Sequence, residues 1–351
     1  MFLAYGYEDP EESPLDLLVF VFTALFWLGH RFGSSWLAYV TTAYRPLVRA
    51  EPTRFIVIPI AIAAACFAIL LPGDDALPLT RAERVLALAT VDFVFLTYHF
   101  AAQHFGVLSL YRVRSGRATD PWTRGIDRLF ALGVGGALVV LVEAITQTTA
   151  FQELWVWTWF DQDWLADVSG TLRIIAIVLV VVSTLAVIAS EARAPKISLP
   201  RVLYVAGVAI MVGGGLYTEQ AFLFVTVWSV QHWLAATALT TRVACAEPAA
   251  SFSPLGQVVH AINRRPWALL VVLGLLSVLL LPVMEVEAVT FDGTHYGDRI
   301  FGAFAVGLRN SDWVPALVAL GFATGFLHYW LDRAVYRLSR PAVRNAARGL
   351  L

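Results

Sequence analysis

Long apolar stretches, separated by short polar segments, dominate this chain. Nine of them can be placed, at about 15–44, 55–72, 83–112, 127–150, 165–190, 200–217, 219–242, 267–284 and 312–337. A helix needs about 20 mostly apolar residues to cross the hydrocarbon core of a bilayer. Turn-forming residues such as Pro72-Gly73-Asp74-Asp75 and Asp120-Pro121 mark the breaks. The pattern predicts an all-α, polytopic transmembrane helix bundle of about nine spans, forming a single integral membrane domain over residues 1–351.

Composition agrees with this pattern. Hydrophobic residues make up 58% of the chain and charged residues 15%, with a mean hydropathy of +0.69, whereas soluble proteins carry about a quarter charged residues. Two cysteines exclude a disulfide framework. The net charge of −1 gives no reason to expect a nucleic-acid partner.

The distribution of basic residues predicts the orientation. Of the 25 Lys and Arg residues, 19 lie near the span ends and loops of one side, including the C-terminal tail. Basic residues concentrate on the cytoplasmic side of membrane proteins. We therefore expect the acidic N-terminus outside, the C-terminus in the cytoplasm and an odd number of spans. The Ala-, Leu- and Arg-rich composition indicates a bacterial inner (cytoplasmic) membrane protein with multiple passes.

Histidines within the apolar stretches are the main candidate chemistry. Five of them lie on spans one, three, seven and nine, which run in the same direction in the predicted topology: His30, His99, His104, His232 and His328. Each is eight to fifteen residues from the basic end of its span, which corresponds to a depth of about 12–22 Å. Ionisable residues inside a membrane are costly and usually functional. Their shared depth predicts one buried metal site.

Local spacing adds further candidates. Asp332 follows His328 by four residues and shares its helix face, so it is a metal ligand or the acceptor that fixes the imidazole tautomer. His104 is five residues after His99, about 140° around an ideal helix. Either a wide turn directs both to one ion, or they serve two ions. Glu143 lies at a matching depth on span four, and Tyr98 and Tyr329 adjoin histidines. The candidate metal ligands are His30, His99, His104, His232, His328 and Asp332, and the candidate catalytic residues are Glu143, Tyr98 and Tyr329.

The donor set favours non-haem iron, mononuclear or dinuclear, with zinc or copper as alternatives, because no Cys or Met lies at that depth. The segment from His99 to His104 resembles the His-x3–4-His box of histidine-motif integral membrane oxygenases and desaturases, and Gln231-His232 resembles their later pairs. A His-x2–3-His-His segment is not present in the sequence. Single histidines on several spans also resemble the bacterial carotene-cleaving membrane dioxygenases. The resemblance implies an oxygenase or desaturase. A site within the membrane suits a hydrophobic, lipid-like small molecule as substrate. Because the sequence contains no soluble reductase domain, electrons would come from a separate donor at the Arg-rich cytoplasmic face.

Other interpretations stay open at this level. A haem-b electron-transfer protein would use two of the histidines as axial ligands, for example His99 with His232. A proton-coupled transporter would use the histidines and Glu143 as relays. For each histidine taken alone, a hydrogen bond to a neighbouring helix explains its burial, and Asp332 could instead pair with Arg333 or Arg337.

Overall fold

The computed structural model describes residues 14–116, 120–146, 162–194, 196–217, 221–247, 254–283 and 303–350. At 14–24, 141–146, 162–167, 169, 216 and 221–226 it describes the backbone alone. Every regular element in these ranges is a helix. The helices are α1 Pro14–Ser35, α2 Arg45–Ala50, α3 Ile58–Leu70, α4 Arg81–Arg114, α5 Pro121–Thr146, α6 Gln162–Ala192, α7 Leu199–Tyr217, α8 Ala221–Cys245, α9 Pro254–Asn263, α10 Pro266–Val278, α11 Ala303–Arg309, α12 Val314–Val335 and α13 Pro341–Ala346.

The all-helical prediction is confirmed for this part of the chain, and a helix coincides with each predicted span. Within the described ranges, four helical segments are long and apolar enough to cross a membrane: Thr53–Leu70, Arg81–Arg114, Gly170–Ala192 and Val314–Val335. Helices α9 and α10 together would give a fifth, although they bend by 106° at their junction. A helix satisfies its own backbone hydrogen bonds, which is why apolar sequences of this kind adopt it in lipid. The described part of the chain is therefore all-helical with four or five apolar candidate spans, and the nine spans and their orientation stay predictions.

The first predicted span differs from expectation at its end. The α-helix stops at Ser35, continues as a π-helical turn over Trp36–Val40, and breaks before α2 begins at Arg45. The Thr41 backbone amide bonds the carbonyl of Trp36, and Tyr44 donates its hydroxyl proton to the carbonyl of Val335 at 2.7 Å. The Thr41 bond is the last one of the π-helical turn, so the continuous helix ends at Val40, four residues before the predicted end of the span at about residue 44.

The chain divides into two compact units. The first comprises Leu3–Phe93 and Trp233–Leu350, and the second comprises Val94–His232. In the first unit α12 packs against α3 and α1, and α1 packs against α10. Gly33 of α1 lies so close to α8 that a Cβ there would meet the Thr240 hydroxyl at 2.6 Å. Small residues at such crossings are typical of helix packing in membranes.

Helices α5 and α6 form the main contact of the second unit, and both also pack against α7. Gly133 of α5 permits the close approach, since a Cβ there would lie 2.9 Å from atoms of Leu179 and Val180 on α6. The tight crossing gives van der Waals contact, which drives helix association where lipid removes the hydrophobic effect.

Four charged side chains, one from each of α4, α5, α6 and α7, join at one end of the second unit. Asp127 accepts from Arg112 at 3.2 Å and from Arg201 at 2.5 Å, while Arg201 also donates to Glu191 at 2.6 Å. None of the four residues is more than 6% exposed. Helices α4 and α6 end here and α5 and α7 begin here, so the four helices alternate in direction. That alternation agrees with the predicted order of spans three to six.

Candidate metal centre

All five intramembrane histidines are buried, each at most 6% exposed. They lie on α1 (His30), α4 (His99 and His104), α8 (His232) and α12 (His328). The first unit contains His30 and His328, and the second contains the other three. The prediction that all five surround one ion stays a prediction, and each unit is described by itself below.

In the first unit, the rings of His30 and His328 adjoin each other, with centroids 4.5 Å apart and planes at 80°. One ring nitrogen of each lies within 4.8 Å of the other. The Nδ1 atom of His30 bonds the backbone carbonyl of Trp27. Because a carbonyl can only accept, that nitrogen carries the proton and Nε2 keeps its lone pair. His30 is therefore held as the tautomer that can ligate through Nε2.

Asp332 lies beside the second imidazole. Its Oδ1 atom lies 3.5 Å from Nδ1 of His328, one helical turn away on α12. A carboxylate or carbonyl behind the distal nitrogen is the usual arrangement around metal-binding histidines, since it fixes the ring and raises the basicity of the ligating nitrogen. Asp332 thus faces His328, and its predicted roles as a metal ligand or as the acceptor behind the imidazole stay predictions.

Tyr329 lies beside this pair, with its ring centroid 5.7 Å from that of His328. Sequence reasoning missed a second polar contact in the same unit, the 2.8 Å hydrogen bond between the hydroxyls of Thr240 and Tyr336. Tyr336 is one turn beyond Asp332, so His328, Asp332 and Tyr336 form a stripe at i, i+4 and i+8. This spacing is visible in the sequence and could have drawn attention to Tyr336.

In the second unit, His99 of α4 and His232 of α8 form another pair. Their centroids are 4.9 Å apart and their planes lie at 79°. The ring of Phe100 stacks on His232 at 4.0 Å and 8°, and Gln103 donates to the His232 carbonyl at 3.2 Å. Aromatic stacking on one side and a side-chain amide on the backbone hold α8 at a fixed position against α4.

His104 has a different environment. The indole nitrogen of Trp228 donates to its Nε2 at 3.0 Å, and its Nδ1 is 2.7 Å from the Tyr204 hydroxyl. With both ring nitrogens engaged, neither has a lone pair directed to a metal. Helix α4 stays regular from Arg81 to Arg114, so the wide turn that would direct His104 and His99 to one point does not occur. We therefore leave His104 out of the proposed ligand set. Tyr204 is on α7, and no spacing in the sequence connects it with His104.

Tyr98 and Glu143 are the two remaining candidate residues. Tyr98 is 52% exposed on the outer face of α4, near the exposed Val94 and Phe95. Its position is that of a lipid-facing residue. Glu143 is on α5, but its side chain lies outside the described residues, so its predicted role stays a prediction.

The spacing of the two pairs can be compared with metal coordination. A metal bonded to an imidazole at about 2.0–2.1 Å lies about 3.2 Å from the ring centroid. Two such ligands at 90° or 109° around one ion place their centroids about 4.5 or 5.2 Å apart. The observed values of 4.5 and 4.9 Å lie in this range. Axial ligands on opposite faces of a haem would need about 6.3 Å, so both pairs fit a single ion better than a haem.

Comparison with protein-family models, with curated protein sequences and with solved structures gives no match for this chain.

Proposed function

We propose that this chain is an integral membrane, metal-dependent oxidoreductase, an oxygenase or desaturase that acts on a hydrophobic, lipid-like molecule. The observation that carries the proposal is the pair His30 and His328. Their rings are 4.5 Å apart, and the Nδ1 atom of each faces an oxygen, of Trp27 or of Asp332. In this arrangement Nε2 is the ring nitrogen of each imidazole that would bind a metal. The pair His99 and His232, with ring centroids 4.9 Å apart, is the candidate pair of the second unit.

Iron is the metal that we propose, with zinc and copper as the alternatives that elemental analysis separates. Imidazole suits all three ions, and neither cysteine adds a thiolate to these pairs. Bound iron with open positions would supply activation of O₂. The side chains of the protein would hold the ion, fix the imidazole tautomers through Trp27 and Asp332, and exclude water from a buried polar site.

The apolar helices support an apolar substrate. The outer face of α4 exposes Val91, Val94 and Phe95 by 44–62%, as lipid-facing surfaces do. A substrate dissolved in the bilayer can reach buried side chains laterally between helices. We propose nine spans in a bacterial inner membrane, with the C-terminus in the cytoplasm and a separate electron donor docking on the basic cytoplasmic side.

Metal analysis tests the proposal. The full chain, purified in detergent and supplied with Fe(II), should retain iron at a fixed stoichiometry. The double variant His30→Ala with His328→Ala should lower that stoichiometry, and so should His99→Ala with His232→Ala. His260→Ala is the matched control, because His260 lies on α9, belongs to neither pair and has Glu247 3.9 Å away.

Iron retained at the wild-type stoichiometry in both double variants would overturn the proposal. An optical spectrum of the same samples addresses the haem alternative, for which a Soret band would be decisive. Vectorial substrate uptake into vesicles that is independent of the metal would instead favour the transporter. O₂ consumption on addition of a reductant, lost in the double variants and kept in His260→Ala, would support the oxidoreductase.

A further inference from the structure

Trp228 forms an unusual hydrogen bond for a buried indole. It is fully buried on α8, and its N–H donates to Nε2 of His104, which is 1% exposed. An indole nitrogen can only donate, so Nε2 holds the lone pair. The neutral ring then carries its proton on Nδ1, which donates to the hydroxyl of Tyr204. His104 is thus a neutral base whose Nε2 lone pair accepts the hydrogen bond of the Trp228 N–H group.

Other indole hydrogen bonds in the described residues differ in the acceptor. Trp36 donates to the side-chain amide oxygen of Asn263 and Trp330 donates to the backbone carbonyl of Arg54, both at 2.8 Å. Neither an amide oxygen nor a carbonyl takes up a proton near neutral pH, whereas an imidazole does. Trp228 therefore differs from Trp36 and Trp330 in its acceptor, because the imidazole of His104 can take up the indole proton and their acceptors cannot.

A short aromatic path connects Trp228 with the pair His99 and His232. Trp228 and His232 are four residues apart and face the same side of α8. Phe100 lies against both rings, stacked on His232 at 4.0 Å and edge-on to Trp228 at 5.8 Å and 89°. The indole is thus one helical turn along α8 from the proposed ligand His232, with the ring of Phe100 against both.

We propose that Trp228 is a redox-active residue that gives one electron to the metal held by His99 and His232, with His104 as the acceptor of its proton. The inference rests on the proposed function. Loss of one electron from the indole lowers the charge of the oxidised metal ion by one. The indole N–H bond breaks, its proton forms an N–H bond at Nε2 of His104, and a neutral indolyl radical remains.

Tyr204 stabilises the product of this step. The imidazolium formed at His104 keeps donating through Nδ1 to the Tyr204 hydroxyl, so the new charge is hydrogen-bonded within a buried environment. The radical is returned to tryptophan by one electron from the external electron donor and by the same proton from His104. Atoms and charge then balance over the cycle, and no further oxidant is required beyond the peroxide or O₂ that oxidises the metal.

The test uses the full chain loaded with Fe(II) and treated with hydrogen peroxide. Samples are frozen at intervals, and electron paramagnetic resonance is recorded on protein with ordinary and ring-deuterated tryptophan. Iron content and the iron oxidation state are measured on the same samples. We expect a tryptophanyl signal whose hyperfine structure changes on deuteration and which Trp228→Phe lowers at least tenfold.

Two further variants complete the design. Trp122→Phe is the matched control, since Trp122 is 72% exposed at the start of α5 in the same unit, and it should leave the signal unchanged. His104→Gln can still accept a hydrogen bond but is not a base, so it should lower the radical yield at least tenfold while iron stays bound. A purely structural hydrogen bond would give no radical in any sample.

An equal signal in Trp228→Phe would overturn the inference, as would iron that is bound and oxidised in the wild type without a tryptophanyl signal. In both cases the proposed function would stand. Failure to bind iron at all would overturn the proposed function, and the inference with it. If Trp228→Phe does not fold, His104→Gln gives the same decision.

Discussion

Asp127 is the acid on which the buried charges of the second unit depend. It is fully buried and accepts from two guanidinium groups, of Arg112 and Arg201, and Arg201 has Glu191 as its other acid. The four charges sum to zero. Asp127→Asn preserves the shape of the side chain but leaves a net charge of +1 in a buried cluster, with Arg112 losing the acid that it contacts.

The loss of stability expected for Asp127→Asn follows from the burial of the ion pairs that Asp127 forms. Removing one partner of a buried ion pair costs about 3–5 kcal/mol, because the remaining charge is left without compensation. The Asn amide oxygen still accepts one hydrogen bond, so we expect the lower end, about 3 kcal/mol. For a unit of this size that corresponds to a fall in Tm of about 6–12 °C. Asp75→Asn, on the exposed 3-10 helix Asp74–Ala76, should leave Tm within about 1 °C.

Thermal unfolding of the detergent-purified chain, followed by near-UV circular dichroism and by loss of the monodisperse gel-filtration peak, measures both variants. Asp127→Glu keeps the charge and should retain part of the stability that Asp127→Asn loses. A Tm for Asp127→Asn equal to that of Asp75→Asn would refute the claim that the cluster stabilises the second unit.

Three other changes test the site and the fold. Asp332→Asn weakens the acceptor behind His328 and should lower metal affinity about 10–100-fold without unfolding the chain, measured by competition with a chelator; unchanged affinity would remove Asp332 from the site. Asp120 caps α5 by accepting hydrogen bonds from the Thr123 hydroxyl and from the amides of Trp122 and Thr123. The hydroxyl bond above all, and then the two amide bonds, lower the pKa of its carboxyl from 3.8, so Asp120→Ala should cost about 1 kcal/mol at neutral pH. The stabilisation should be complete above pH 3.8 and vanish as the pH falls through the lowered pKa; a pH-independent difference would contradict the capping role. Gly133→Leu should disrupt the α5–α6 crossing and lower Tm, whereas Gly170→Leu, at a position with open space, should not.

Hydropathy predicted the helices well because each is defined by local sequence. The start of α5 at Asp120-Pro121 and the end of α3 before Pro72 are set by residues next to the break. The ion cluster was not predicted. Arg112 and Arg201 were interpreted as topology signals, and Asp127 and Glu191 drew no attention, because partners on separate helices share no spacing in the sequence. Burial and pairing of such groups are decided by packing alone.

Depth predicted which histidines are buried but not what each one does. Depth is one coordinate of a residue in a membrane helix, and the direction around the helix axis is a second, independent one. His99 and His104 differ by about 140° on a regular helix, and the structure shows the consequence in α4. His99 faces His232, while His104 faces Trp228 and Tyr204. Two histidines of the same sequence motif therefore have different partners and different proposed roles. Metal affinity separates the two roles, since we expect it to be unchanged in His104→Gln and lost in His99→Ala.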